Sequence, residues 1–284
     1  MVSERAFVAG VVELIQRAET VVPDDYRRAL RRILRSERNR TTKTVLRVMI
    51  ENAELAERLQ RPVCQDTGVL TFFIRLGAGV PFNIERAIRV AVSKAERTVP
   101  LRPHLVDPLG RRPLRVSRPK PEIHVEFDPG ARSEIGVVIK GAGTENFSRL
   151  WMLPPSSGAR ELGERLADLI RDAGGKPCPP VVVGLGIGGS ASQAVVLAKR
   201  ALLRRIDRPN PRPHLGKLER ELERRANARG AGVMGLGGVT VLRVLAEESP
   251  CHTATLPVGV ALQCWPGRRG RAVIAGGRLE VIDP

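Results

Sequence analysis

The residues best suited to chemistry stand together in Arg61-Pro62-Val63-Cys64-Gln65-Asp66-Thr67-Gly68, where a thiol, an amide, a carboxylate and a hydroxyl precede the apolar run Val69 to Ile74. A loop that ends in glycine and leads into a strand presents reactive side chains on a rigid scaffold. Cys178 sits in Lys176-Pro177-Cys178-Pro179-Pro180, and Cys264 closes the extended apolar stretch from Thr255. Each of these three thiols adjoins a Gly- or Pro-rich turn and a strand candidate. Three thiolates with no ligating histidine beside them favour a soft-metal or iron-sulfur site over a closed zinc site, which takes four ligands. Cys251, next to His252, leaves a four-thiolate or mixed set open, and four buried packing cysteines are the plain alternative.

Several loops carry glycine where backbone must approach something closely. Lys140-Gly141-Ala142-Gly143-Thr144-Glu145-Asn146 is suited to an anion or to a tight turn. Gly184, Gly186 and Gly189 match the G-x-G-x-x-G dinucleotide pattern between a strand and a helix. Against that reading, the acidic ribose contact is represented only by Asp207 after Arg204-Arg205, and no return strand is expected. Arg102, in a proline- and arginine-rich loop over Leu101–Pro121, has the planar fork that clamps a carboxylate or else is simply solvated.

The elements that must position these groups follow from periodicity. Residues 1–60 read as three helices, the second opening at Pro23-Asp24-Asp25 and the third running from Thr42 to Leu59. Asn83 caps a fourth that stops near Pro100. Ile123 to Phe127 and Ile135 to Ile139 read as an antiparallel hairpin turned by Asp128-Pro129-Gly130. Further helices are expected over Ser157–Ala173, ended by Gly174-Gly175, and over His214–Ala228. Val181 to Val183 reads as a strand, Thr240 to Ala246 as helix or strand, and the tail as a hairpin through Gly276-Gly277. The fold class is α+β, a helical N-terminal segment followed by mixed α/β lobes with glycine-rich loops.

Composition narrows the partners. With 284 residues and 42% hydrophobic content the chain is long enough for one or two cores. Four scattered cysteines do not build a disulfide scaffold, and no apolar run reaches membrane-spanning length, so a soluble cytoplasmic protein is expected. The net charge of +17, from 47 Lys and Arg against 30 Asp and Glu, suits an anionic partner, yet 3% aromatic content leaves few platforms for stacking bases. A basic scaffold or nucleic-acid-binding protein whose thiols merely pack is the non-enzyme alternative.

Taken in order, Cys64 to Gly68, Gly141 to Asn146 with Ser148-Arg149-Leu150, Cys178-Pro179-Pro180 with Gly184 to Gly189, and Gly235 to Gly238 with His252 and Cys264 resemble the alpha region of class I iron-sulfur hydro-lyases. That family contains class I fumarate hydratases and L-tartrate dehydratases, and the resemblance runs from the N-terminal helices to about Ile274. It implies a single alpha region over 1–284, with 1–60 as its helical segment and 61–284 as the cluster-binding α/β part. It also implies a 4Fe-4S cluster on Cys64, Cys178 and Cys264, with Cys251 a neighbour and not a ligand. By the same resemblance Asp66 and His252 handle protons or orient substrate, while Gln65, Arg102 and the backbone around Gly143 bind the carboxylates of a small dicarboxylate. The expected reaction is reversible hydration of fumarate to malate, with L-tartrate dehydration as the alternative. Single-chain relatives continue into a second region, so a separate beta subunit is expected, in an α2β2 heterotetramer, with poor turnover by this chain alone.

Overall fold

The computed structural model describes residues 2–77, 80–102, 106–113, 121–130 and 132–284. Parts of the loop expected over Leu101–Pro121, namely 103–105 and 114–120, lie outside the described residues. The chain opens with the helices α1 (Glu4–Thr20), α2 (Asp24–Ser36) and α3 (Arg40–Leu59), then β1 (Val69–Leu76) and α4 (Ile84–Thr98). Next come β2 (Glu122–Phe127), β3 (Glu134–Lys140), the single turn α5 (Ala142–Glu145), β4 (Arg149–Leu153) and α6 (Ala159–Ala173). The remainder is β5 (Val181–Gly188), α7 (Ala191–Ala201), α8 (Pro213–Arg229), β6 (Val241–Ser249), β7 (Leu256–Gln263), β8 (Arg269–Ala275) and β9 (Arg278–Asp283). The mixture is α+β, as the sequence implies.

Two compact units divide the chain. The first comprises Met1–Pro23, Ala53–Gly141 and Arg268–Pro284. Its five-stranded sheet has the order β2-β1-β3-β8-β9, and α1 and α4 cover one face. Phe7, Val11, Leu14 and Ile15 of α1 and Ala87, Ile88 and Ala91 of α4 meet Leu70, Phe72 and Ile74 of β1 and Ile135, Val137 and Ile139 of β3. That alternation along β1 and β3 is the period-two burial of a strand lying on helices. Asn83 caps α4 as its position predicts, its Oδ1 accepting the Arg86 N–H at 2.9 Å.

One expectation fails here. β2 and β3 do not form a hairpin; β1 lies between them, parallel to β2 and antiparallel to β3. The apolar β1 needs partners on both edges to satisfy its backbone, and the crossover through α4 supplies the parallel one. Asp128 in the expected turn donates its N–H to Leu76 O at 3.0 Å, fastening the end of β2 to β1 instead.

The second unit comprises Asp24–Asn52 and Ala142–Gly267. Its sheet has the order β4-β7-β5-β6, with β5 parallel to β6 and antiparallel to β7. Val181, Val183 and Leu185 of β5 and Val258, Val260 and Leu262 of β7 face a core completed by Leu162, Leu166 and Ile170 of α6 and Leu215, Leu222 and Ala226 of α8. The alternate residues Val182, Gly184 and Gly186 then belong to the other face, where α7 packs. A methyl group on Gly184 would lie 2.1 Å from Ala198 O, and one on Gly186 2.0 Å from Ala194 O. Two glycines of the G-x-G-x-x-G pattern therefore lie inside β5 and let α7 settle onto the sheet. β6 is the parallel return strand that the sequence did not disclose, reached through α7 and α8.

Candidate functional site

In the first unit, the Cys64-Gln65-Asp66-Thr67-Gly68 stretch is held at both ends. Val63 donates its N–H to Glu19 O at 2.9 Å, tying the loop to the last turn of α1. Gly68, at φ +63°, enters β1 so close to β3 that a methyl group on it would meet Lys140 O at 2.5 Å. Only glycine combines that left-handed backbone with that approach. Between these anchors Asp66 accepts the Gly68 N–H on Oδ1 at 2.9 Å, an Asx-type turn. Its Oδ2 abuts Gly141, where a methyl group would lie 2.6 Å away. Thr67 is buried, and its Oγ1 accepts the Arg102 N–H at 3.1 Å. Arg102 is thus brought beside the motif by its backbone, with its side chain exposed. Gln65 is exposed, and Cys64 and Asp66 are half-buried.

In the second unit, Cys178 and Cys264 lie at the same end of the β5–β7 pair. Cys178 lies three residues before β5, Cys264 follows β7 directly, and Val182 is paired with Gln263. Trp265 donates its N–H to Cys178 O at 3.4 Å, and the Cys178 N–H goes to Gly175 O at 3.1 Å. Met234, from the glycine-rich loop after α8, donates its N–H to Pro179 O at 2.9 Å. Cys178 is exposed at φ +56° and Cys264 is buried. Gly143 adjoins the same segment, since a methyl group on it would lie 3.0 Å from Lys176 O.

His252 is elsewhere in that unit. It stands between β6 and β7, whose pairings Gly188 with Ser249 and Ile187 with Val258 mark the far end of the sheet. Val182 to Ile187 spans about 17 Å at roughly 3.3 Å per residue, so the strands separate His252 and Cys251 from Cys178 and Cys264. Cys251 Sγ donates to Thr255 O at 3.2 Å, and His252 Nδ1 accepts the Ala254 N–H at 3.2 Å. Cys64, Cys178, Cys251 and Cys264 are not joined in disulfides. Among the described residues no three His, Cys, Asp or Glu side chains are gathered as a metal-binding group. No described helix is long and apolar enough to cross a membrane.

Sequence reasoning missed the charged residues behind the motif. Arg268 is 1% exposed, and its Nη1 donates to Glu19 Oε2 at 3.0 Å. The only sequence signal was the arginine pair Arg268-Arg269 shortly after Cys264, indistinguishable there from a solvated tail.

A family model described as "Fumarate hydratase (Fumerase)" matches residues 8–273. The chain belongs to this fumarate hydratase family. Among relatives, a Methanocaldococcus jannaschii protein provisionally named L(+)-tartrate dehydratase subunit alpha is 44% identical over 268 residues, covering 91% of this chain and 94% of its own. The L(+)-tartrate dehydratase subunit alpha of Escherichia coli O157:H7 is 32% identical over 261 residues, 90% and 86% of the two chains. That of Escherichia coli strain K12 is 31% identical over the same coverage. Membership of the fumarate hydratase family makes this chain a hydro-lyase by class, and the matched span includes every candidate site residue named from the sequence.

Proposed function

We propose that this chain is the α subunit of an iron-sulfur hydro-lyase that reversibly adds water across a small dicarboxylate. Fumarate with malate is one substrate pair, and the names of the relatives give L-tartrate equal standing. The observation that carries the reading is the placement of Cys178 and Cys264 at one end of β5 and β7, where the backbone N–H of Trp265 reaches Cys178 O.

Cys64, Cys178 and Cys264 would hold a 4Fe-4S cluster, a donor set whose soft sulfur chemistry suits iron-sulfur binding. When bound, such a cluster supplies a Lewis-acidic iron for the hydroxyl that leaves or enters. The chain's own residues contribute proton handling and carboxylate binding. Asp66, with Oδ1 occupied by the Gly68 N–H, handles a proton at Oδ2. Arg102, its backbone fixed by Thr67, offers a planar fork to a substrate carboxylate, and Gln65 offers an exposed amide. Gly143 presents backbone to the other carboxylate. His252 is the second residue proposed to orient substrate or handle protons, and it stands at the opposite end of the sheet from Cys178 and Cys264.

The names of the relatives as alpha subunits support a beta subunit as partner, and the assembly proposed for the pair is an α2β2 heterotetramer. Anaerobic co-expression of this chain with its beta partner, followed by fumarate hydration and L-tartrate dehydration assays, tests the function. Turnover of either substrate, absent when Asp66 is changed to Asn, supports the reading. No turnover of either by an iron-loaded complex contradicts it.

A further inference from the structure

Arg268 is one of the largest fully buried side chains in the molecule, at 1% exposure, and its partner Glu19 is at 0%. Burying two charges is costly unless they are paired, so a buried pair marks a place where geometry is held. Glu19 holds two things at once. Its carboxylate Oε2 takes Arg268 Nη1 at 3.0 Å, and its carbonyl takes the N–H of Val63, the residue before Cys64. The second end of the guanidinium looks elsewhere. A methyl group on Gly141 would lie 3.4 Å from Arg268 Nη2 and 2.6 Å from Asp66 Oδ2, so those two atoms are no farther apart than the two distances joined end to end. Glu19, Val63, Asp66, Gly141 and Arg268 all belong to the first unit.

We propose that Arg268 is a positioning residue for Asp66. Anchored by Glu19 at Nη1, it presents Nη2 beside Gly141 and fixes where the Asp66 carboxylate can stand, while the Gly68 N–H fixes its other oxygen. The planar guanidinium holds Nη1 on Glu19 while directing its second nitrogen and its delocalised charge toward the Asp66 side of Gly141, and a lysine ammonium cannot do both in the same geometry. A side chain at 141 would crowd Asp66 Oδ2 and come into contact with Arg268 Nη2. The inference rests on the reading of Asp66 as the proton-handling group.

Two measurements test it, one of them independent of activity. Chemical denaturation of the full chain without cofactor, as wild type, R268K, D66N and the double variant, reads the coupling directly. The stability losses of the single variants are expected to be non-additive; additive losses overturn the proposal. In the complex with its beta partner, R268K is expected to lower kcat about 100-fold with KM changed less than about threefold, and to cause no further loss in a D66N background. An unchanged kcat in R268K, or an equal further fall in D66N, overturns it. E19Q, which removes the anchor while leaving Arg268 in place, is expected to reproduce the kcat loss at least tenfold, and full kcat in E19Q counts against the proposal. Inactivity of the wild-type complex would refute the hydro-lyase reading and leave the denaturation cycle as the judge of this one.

Discussion

The backbone N–H of Trp265 donates to the carbonyl oxygen of Cys178 at 3.4 Å, binding the residue after one candidate cluster thiol to the other. The turn that makes this possible closes through Gly267, whose N–H returns to Cys264 O at 2.9 Å. Gly267 is at φ +59°, and a methyl group on it would lie 2.3 Å from the Tyr26 ring. Gly267→Ala is therefore expected to destabilise the protein by about 2 kcal/mol or more, combining a left-handed backbone with overpacking. Urea denaturation checks it, and a loss under about 0.5 kcal/mol would show that the turn yields more easily than its contacts imply.

The glycines of β5 predict a stability effect where a nucleotide reading predicts a binding effect. Gly186→Ala would place a methyl group 2.0 Å from the backbone carbonyl of Ala194, which cannot move without displacing α7. A loss of about 3 kcal/mol is expected. Titration of the wild-type protein with NADH, followed by nicotinamide fluorescence, is expected to show no saturable binding.

Asp207 gives a pH dependence with a definite sign. Hydrogen bonding from Arg205, opposed by burial and then reinforced by a hydrogen bond from Arg28 and the charges of both arginines, lowers its pKa to about 2. A carboxylate with a depressed folded-state pKa contributes stability above its ordinary value near 3.8, and that contribution disappears as pH falls toward about 2. Because the side chain is 32% exposed, solvent screening reduces the contribution to about 1 kcal/mol. Asp207→Asn should lower stability by that amount at pH 7 and by almost nothing near pH 2, as followed by denaturant melts at both pH values.

Local signals were legible in the sequence where local physics decides the outcome. Asn83 as a cap, Gly174 as a helix stop and the β8–β9 hairpin all depend on neighbours a few residues away. Long-range pairing was not legible. The Asp128-Pro129-Gly130 turn signal could not reveal that β1, more than fifty residues upstream of it, would come between β2 and β3. Strand β4 has no clear local signal, and the short apolar pattern of β6 suits helix and strand alike; pairing with β7 and with β5 decides them. At the candidate site, the motif from Cys64 to Gly68 was visible as chemistry, but its support was not. Glu19 and Arg268 are far apart in sequence and acquire meaning only once α1 and the start of β8 fold together.

Anaerobic reconstitution of the chain with iron and sulfide tests whether Cys64, Cys178 and Cys264 hold one iron-sulfur cluster, as proposed above. A broad visible thiolate-to-iron absorption is expected in the wild type and in Cys251→Ser, and is expected to be lost in each of Cys64→Ser, Cys178→Ser and Cys264→Ser. Loss of the absorption in Cys251→Ser with retention in Cys264→Ser, or its absence from the wild type, would contradict the account.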